Sequence, residues 1–182
     1  IMDFMILMPL GPMLIRAFAI SPQQFSVLVS TYSICAGVVG LTSVTFADRF
    51  DRKKFLTVAY VGFLVGTFAC GFALNYHFFL LARGVAGCFG GVLGALIMSV
   101  VGDTIAENRR GQAMGMVMAG FSLAAVAGVP LGLLLASHFG WHMPFFFIGG
   151  FGLMVLALIQ LFIPTLNSHI AKAKEQCRNI WA

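Results

Sequence analysis

Six apolar runs separated by short polar turns decide which solvent this chain can fold in. They cover roughly residues 1–14, 25–46, 55–74, 77–101, 112–136 and 145–163 of a 182-residue sequence. A helix of about 20 residues rises ~30 Å and crosses the hydrocarbon core of a bilayer. In lipid every backbone donor and acceptor must be satisfied within the chain, and a single run can do that only as a helix. The expectation is an all-α, polytopic bundle of six transmembrane helices. Composition agrees: 60% of residues are hydrophobic and 9% are charged, whereas a water-soluble domain carries about a quarter charged residues.

The few charges fix an orientation. The turns at 48–54 and 102–111 and the segment 164–182 hold nine of the basic residues, Arg49, Arg52, Lys53, Lys54, Arg109, Arg110, Lys172, Lys174 and Arg178. The opposite turns hold Arg16 alone, and Arg83 lies inside the fourth run. Basic loops stay on the cytoplasmic side, so both ends of the segment are expected inside a cell membrane, on the bacterial pattern the inner one. Tyr76 and Trp141 suit the aromatic belt at the outer interface, and the His residues suit interfacial anchors. Ser21-Pro22 reads as the cap and first residue of the second helix. Pro9, Gly11 and Pro12 should interrupt the first. Residues 1–163 form the expected membrane domain, and 164–182, with His169, Lys172, Lys174 and Arg178, begin a cytoplasmic linker near anionic lipid. Ile1 falls inside an apolar segment with no basic flank before it, so no cleavable leader is expected and further residues are expected upstream. Helices 1–3 and 4–6 match in length and in the placement of an intramembrane charge, the pattern of an inverted three-plus-three repeat.

Two full charges stand inside the runs, Asp3 and Arg83. Arg83 sits about two turns, ~10 Å, from the outer end of its helix. Such an Arg either snorkels to the headgroups or marks a pathway. Asp3 either marks the inner end of the first helix or lies within reach of Arg83. As a pair they form a proton-exchange site, because desolvation raises a carboxyl pKa and a neighbouring cation lowers it. Six helices alone are expected to leave both on a face open to lipid or to a second copy. After Arg83, Gly84, Gly87, Gly90, Gly91 and Gly94 give a smooth face for close helix contact. Gly120, Ala124, Gly128, Gly132 and Ala136 repeat every four residues down the fifth run, with Pro130 bending it.

Other chemistries find little support. Cys35, Cys70, Cys88 and Cys177 have no ligand spacing, so neither a metal nor a cofactor is expected. No nucleophile and base stand together within the runs, so the reading is not an enzyme. No basic face outside the loops suits a nucleic acid.

The turn Val44-Thr45-Phe46-Ala47-Asp48-Arg49-Phe50-Asp51-Arg52-Lys53 resembles the G-x-x-x-D-R-x-G-R-K/R loop of the major facilitator superfamily, with Val44 and Asp51 standing where the family has glycine. Arg83-x-x-x-Gly87 resembles the family's R-x-x-q-G. Gly128-Val129-Pro130-Leu131-Gly132 is similar to its antiporter motif g-x-x-x-G-P-x-x-G-G, with Val129 parting the Gly and Pro. In order along the chain, these match the N-terminal six-helix half of a transporter, closest to the drug:proton antiporter and sugar-efflux branch. The resemblance implies a cytoplasmic charge lock built from Asp48, Arg49, Arg52, Lys53 and Asp103, a second six-helix half, and proton entry coupled to export of a small molecule by alternating access. A membrane scaffold, or a half-transporter working as an oligomer, is the alternative.

Overall fold

A computed structural model of the chain describes residues 1–47 and 52–162. The first run forms α1 (Met2–Met5) and α2 (Leu7–Phe18). Then come α3 (Pro22–Ala47), α4 (Arg52–Gly71) and α5 (Tyr76–Thr104). The fifth run forms α6 (Glu107–Leu123), a π-helical turn (Ala124–Gly128) and α7 (Val129–Phe139), and the sixth forms α8 (Met143–Phe162). The described residues contain no strand, and the all-α, six-pass bundle stands. Five of the helical stretches are long and apolar enough to cross a membrane, and α2 is a shorter apolar helix. Asp48, Arg49 and Asp51 and the tail 163–182 lie outside the described residues.

The helices outrun the apolar stretches that start them, because backbone hydrogen bonding continues until a residue stops it. The first span does not break at its prolines. It runs through Pro9 and Pro12 to Phe18 and divides at Ile6. Pro9 has no N–H for the carbonyl four residues back, that of Met5, and the division falls there. Ala19 then ends α2 in a left-handed conformation, φ 50°, with its N–H on the Ile15 carbonyl. Ser21 caps α3 reciprocally with Gln24: the Ser21 N–H donates to Gln24 Oε1 at 2.9 Å and the Gln24 N–H to Ser21 Oγ at 3.3 Å. This is a capping box, with Pro22 at the first helical position. The bend expected at Pro130 is drawn out into the π turn before it, where the Val129 N–H reaches back five residues to the Ala124 carbonyl.

Packing centres on α5, which lies against α3 and α4, while α8 closes on α4. The tightest seam is α3 on α5. A Cβ at Gly87 would lie 2.5 Å from the Tyr32 carbonyl oxygen, and one at Gly91 would collide with the Ala36 backbone. Only glycine admits that approach, which is the physical content of the small-residue face. One buried cluster, including Ile6, Leu10, Leu14, Phe79 and Phe145, fills the bundle towards the α2–α3, α4–α5 and α7–α8 turns; a second, with Ala59, Val92, Leu93 and Leu96, packs between α4 and α5. At the α7–α8 turn Trp141 packs on Phe18 and Phe79 with ring centroids 5.0 and 5.7 Å away. His142 Nδ1 meets the Gly71 carbonyl at 2.8 Å, tying the start of α8 to the end of α4.

Candidate functional site

The charges that the sequence leaves inside the runs meet. α1 brings Asp3 to the flank of α5, and Arg83 Nη1 donates to Asp3 Oδ2 at 2.9 Å and to the Asp3 backbone carbonyl at 3.3 Å. Both side chains are enclosed, Arg83 0% and Asp3 1% exposed. The expectation that a six-helix half leaves them on an open face is therefore corrected. α1 lies across the bundle and shuts the pair in, and an unpaired charge there would be expensive. Snorkelling is equally excluded for Arg83, since a snorkelled guanidinium would be exposed.

The pair is made through one carboxylate oxygen. Asp3 Oδ1 and Arg83 Nε and Nη2 have no hydrogen-bond partner, and neither does the buried Thr67 Oγ1 of α4. A guanidinium binds a carboxylate most strongly through two parallel bonds, so this pair is short of its full strength. Two further side chains surround it that the sequence did not single out. Tyr32 of α3 lies under the guanidinium, with Cζ 4.4 Å from the ring centroid, a cation–π geometry. Cys70 of α4 sits beside Arg83 with its thiol buried. Nothing in a hydropathy pattern separates Tyr32 from other aromatics; its position one turn from Cys35 and Ala36, on the face that meets the α5 glycines, is the one available signal.

Asp3 also borders a cavity of about 580 Å³, walled by apolar side chains of α4, the π turn and α8, among them Phe63, Phe147, Phe151 and Val155. The small-residue stripe of the fifth span divides its work here. Gly120, Ala124 and Gly128 line the cavity. Gly128 packs on Met2, a Cβ at Gly132 would collide with Ile6, and Ala136 is fully buried. The stripe is thus the bed on which α1 and α2 rest. Pro130 stands exposed in the first turn of α7. Gly87 lies on the Tyr32 backbone, directly below the pair.

The proposed charge lock is only partly within view. Asp48 and Arg49 lie outside the described residues; Arg52 and Lys53 begin α4 and Asp103 falls in the last turn of α5, their side chains not described. Among the described residues no group of three or more His, Cys, Asp or Glu is gathered as a metal site would require.

Comparison with known proteins agrees with this architecture. Residues 1–178 match the description of the Major Facilitator Superfamily. The chain is 30% identical over 141 residues to the uncharacterized MFS-type transporter YwfA of Bacillus subtilis, covering 78% of this chain and 34% of that protein. It is 29% identical over 159 residues to a probable sugar efflux transporter of Mannheimia succiniciproducens, covering 85% of this chain and 39% of the relative. The chain therefore spans well under half the length of these relatives. Among solved structures, a bacterial homologue of the human lysosomal transporter Spinster, inward-facing and unoccupied, superposes with a TM-score of 0.75 at 18% identity, over 90% of this chain and 40% of that one. That likeness is one of fold.

Proposed function

Because this chain belongs to the major facilitator superfamily and is a multi-pass membrane protein, we propose that it is the N-terminal six-helix half of a secondary active transporter coupling proton entry to export of a small drug- or sugar-like molecule by alternating access. The observation that carries the reading is the enclosed Asp3–Arg83 pair, joined through a single carboxylate oxygen. Protonating Asp3 removes the anion and frees the guanidinium, and deprotonation recaptures it. A proton can bias two conformations only as far as its affinity differs between them, and a pair held through one oxygen is one that can open in one conformation and close in the other. Export, with a sugar-like cargo as one candidate, is supported by the name of the efflux relative. In this reading residues 1–163 form the membrane half with its inverted repeat, and 164–182 begin the linker to the second half. Asp48, Arg49, Arg52, Lys53 and Asp103 form the inner lock, facing the cytoplasm from the inner membrane. The chemistry is transport of substrate and protons and calls for no cofactor.

The test uses the complete protein in inverted vesicles, with a panel of labelled sugars and lipophilic dyes and an imposed pH gradient. Asp3→Asn should abolish gradient-driven movement while leaving binding of the transported probe intact, since the amide mimics the protonated acid. Arg83→Lys keeps the charge but loses the planar fork and should impair coupling. Accumulation by Asp3→Asn at the wild-type level would end the proton-coupling reading.

A further inference from the structure

We propose that Tyr32 is the positioning residue that holds Arg83 in place while Asp3 gains and loses its proton. The inference rests on the proton-exchange reading above and adds to it the group that bears the cation when the carboxylate cannot. Three observations carry it. The ring lies 4.4 Å from Arg83 Cζ, where the face of an aromatic attracts a cation most strongly when water is excluded. The carboxylate meets the guanidinium through Nη1 alone, leaving Nε and Nη2 without partners. The carboxylate is thus the replaceable partner and the ring the permanent one. Tyr32 is also fixed on every side. Its carbonyl oxygen lies against Gly87 and its hydroxyl against Gly90, each 2.5 Å from where a Cβ would stand. Phe4 packs at a centroid distance of 5.5 Å, and the residue is 8% exposed.

Few other groups could perform this task. The elements packed around Asp3 bring Tyr32 from α3, Cys70 from α4 and Arg83 from α5. α1 itself carries no charged residue besides Asp3. The π turn and α8 contain no Asp, Glu, His, Lys or Arg, and α2 carries only Arg16, near its far end. When Asp3 is protonated, the Tyr32 ring and the Asp3 backbone carbonyl remain to hold the guanidinium, and the ring is the one of the two that a side-chain substitution can remove. Without it, Arg83 depends more heavily on the carboxylate. The exchange of the proton at Asp3 would then depend on what stands at position 32.

The experiment follows Asp3 itself and needs no substrate. The full-length protein in lipid vesicles is titrated by infrared difference spectroscopy, with the protonated-carboxyl band of Asp3 identified by its loss in Asp3→Asn. Tyr32→Phe should titrate as wild type. Tyr32→Leu should displace the midpoint measurably from that of wild type. Phenylalanines of increasing fluorination at position 32 preserve shape and should shift the midpoint in graded steps, which keeps the test decisive if Tyr32→Leu does not fold. A midpoint that is unchanged across the fluorinated series overturns the proposal, as does an Asp3 band that never titrates or a Tyr32→Phe shift as large as that of Leu. Transport measured in the same vesicles separates the two ideas. A midpoint that follows position 32 while wild-type transport ignores pH sinks the coupling reading alone. pH-driven transport with a midpoint indifferent to position 32 sinks this one alone.

Discussion

Arg83 keeps its position inside α5 because protein groups stand where water would be: one carboxylate oxygen, one backbone carbonyl and the face of Tyr32. Burying two charges costs several kcal/mol each even when they are paired, and the cost is exposed when one partner is removed. Asp3→Leu alone should therefore destabilise the protein by roughly 3–5 kcal/mol. The double replacement Asp3→Leu with Arg83→Met should recover most of that loss while remaining inactive. Thermal or denaturant unfolding in detergent, run on both single variants and the double, makes the comparison. A double variant no more stable than Asp3→Leu would mean that the pair is a structural anchor. The pairing itself was open to inference from two lone charges of opposite sign; the single-oxygen geometry and the ring beneath were not.

At the scale of elements, the α3–α5 seam sets the site. Gly87 and Gly91 let the α3 backbone approach until Tyr32 slides under Arg83. Gly91→Leu should push the helices apart, at a cost of roughly 1–3 kcal/mol for overpacking, and should weaken pH-driven transport along with stability. Gly94→Leu is the internal control, since nothing lies within 4 Å of a Cβ there. It should change melting temperature little. Equal losses for the two substitutions would show that the seam does not position the pair. In the fifth span the small-residue stripe was legible as a groove, yet its occupants, Met2 and Ile6, were not. Periodicity names a face of a helix and says nothing about which neighbour fills it.

Over the whole molecule, large apolar side chains remain exposed along α3 (Val27, Ile34, Val38, Leu41) and along the fifth span (Met116, Leu123, Val126). Lipid can cover such faces, and in the proposed transporter part of them would meet the second half. The six-helix chain expressed alone should therefore transport nothing and should self-associate in detergent; a monodisperse monomer that moves substrate would contradict the half-transporter reading. On the proposed topology the start of α6 lies inside and the end of α7 outside. Single cysteines at Arg109 and Ser137 are about 28 residues, ~42 Å, apart along a helical path. They should label with an impermeant reagent from opposite sides of the membrane. Labelling from one side would undo the proposed topology.

The sequence by itself determined what depends on one run at a time: six helical spans, their cap at Ser21, the small faces of α5 and of the fifth span, and the scarcity that made Asp3 and Arg83 conspicuous. These follow from hydropathy and helical period, which act within a segment. Tertiary structure decided what depends on register between segments. It enclosed Asp3 and Arg83 where an open face was expected, and it set Tyr32 and Cys70 around them. It also laid α1 on the stripe at Gly128 and Gly132 and placed the first-span division at Ile6. The physical reason is that a long side chain finds its partner only after two backbones have fixed their crossing. At α3 and α5 that crossing is set by the absence of a Cβ at Gly87 and Gly91, against whatever residue of the opposing helix arrives there.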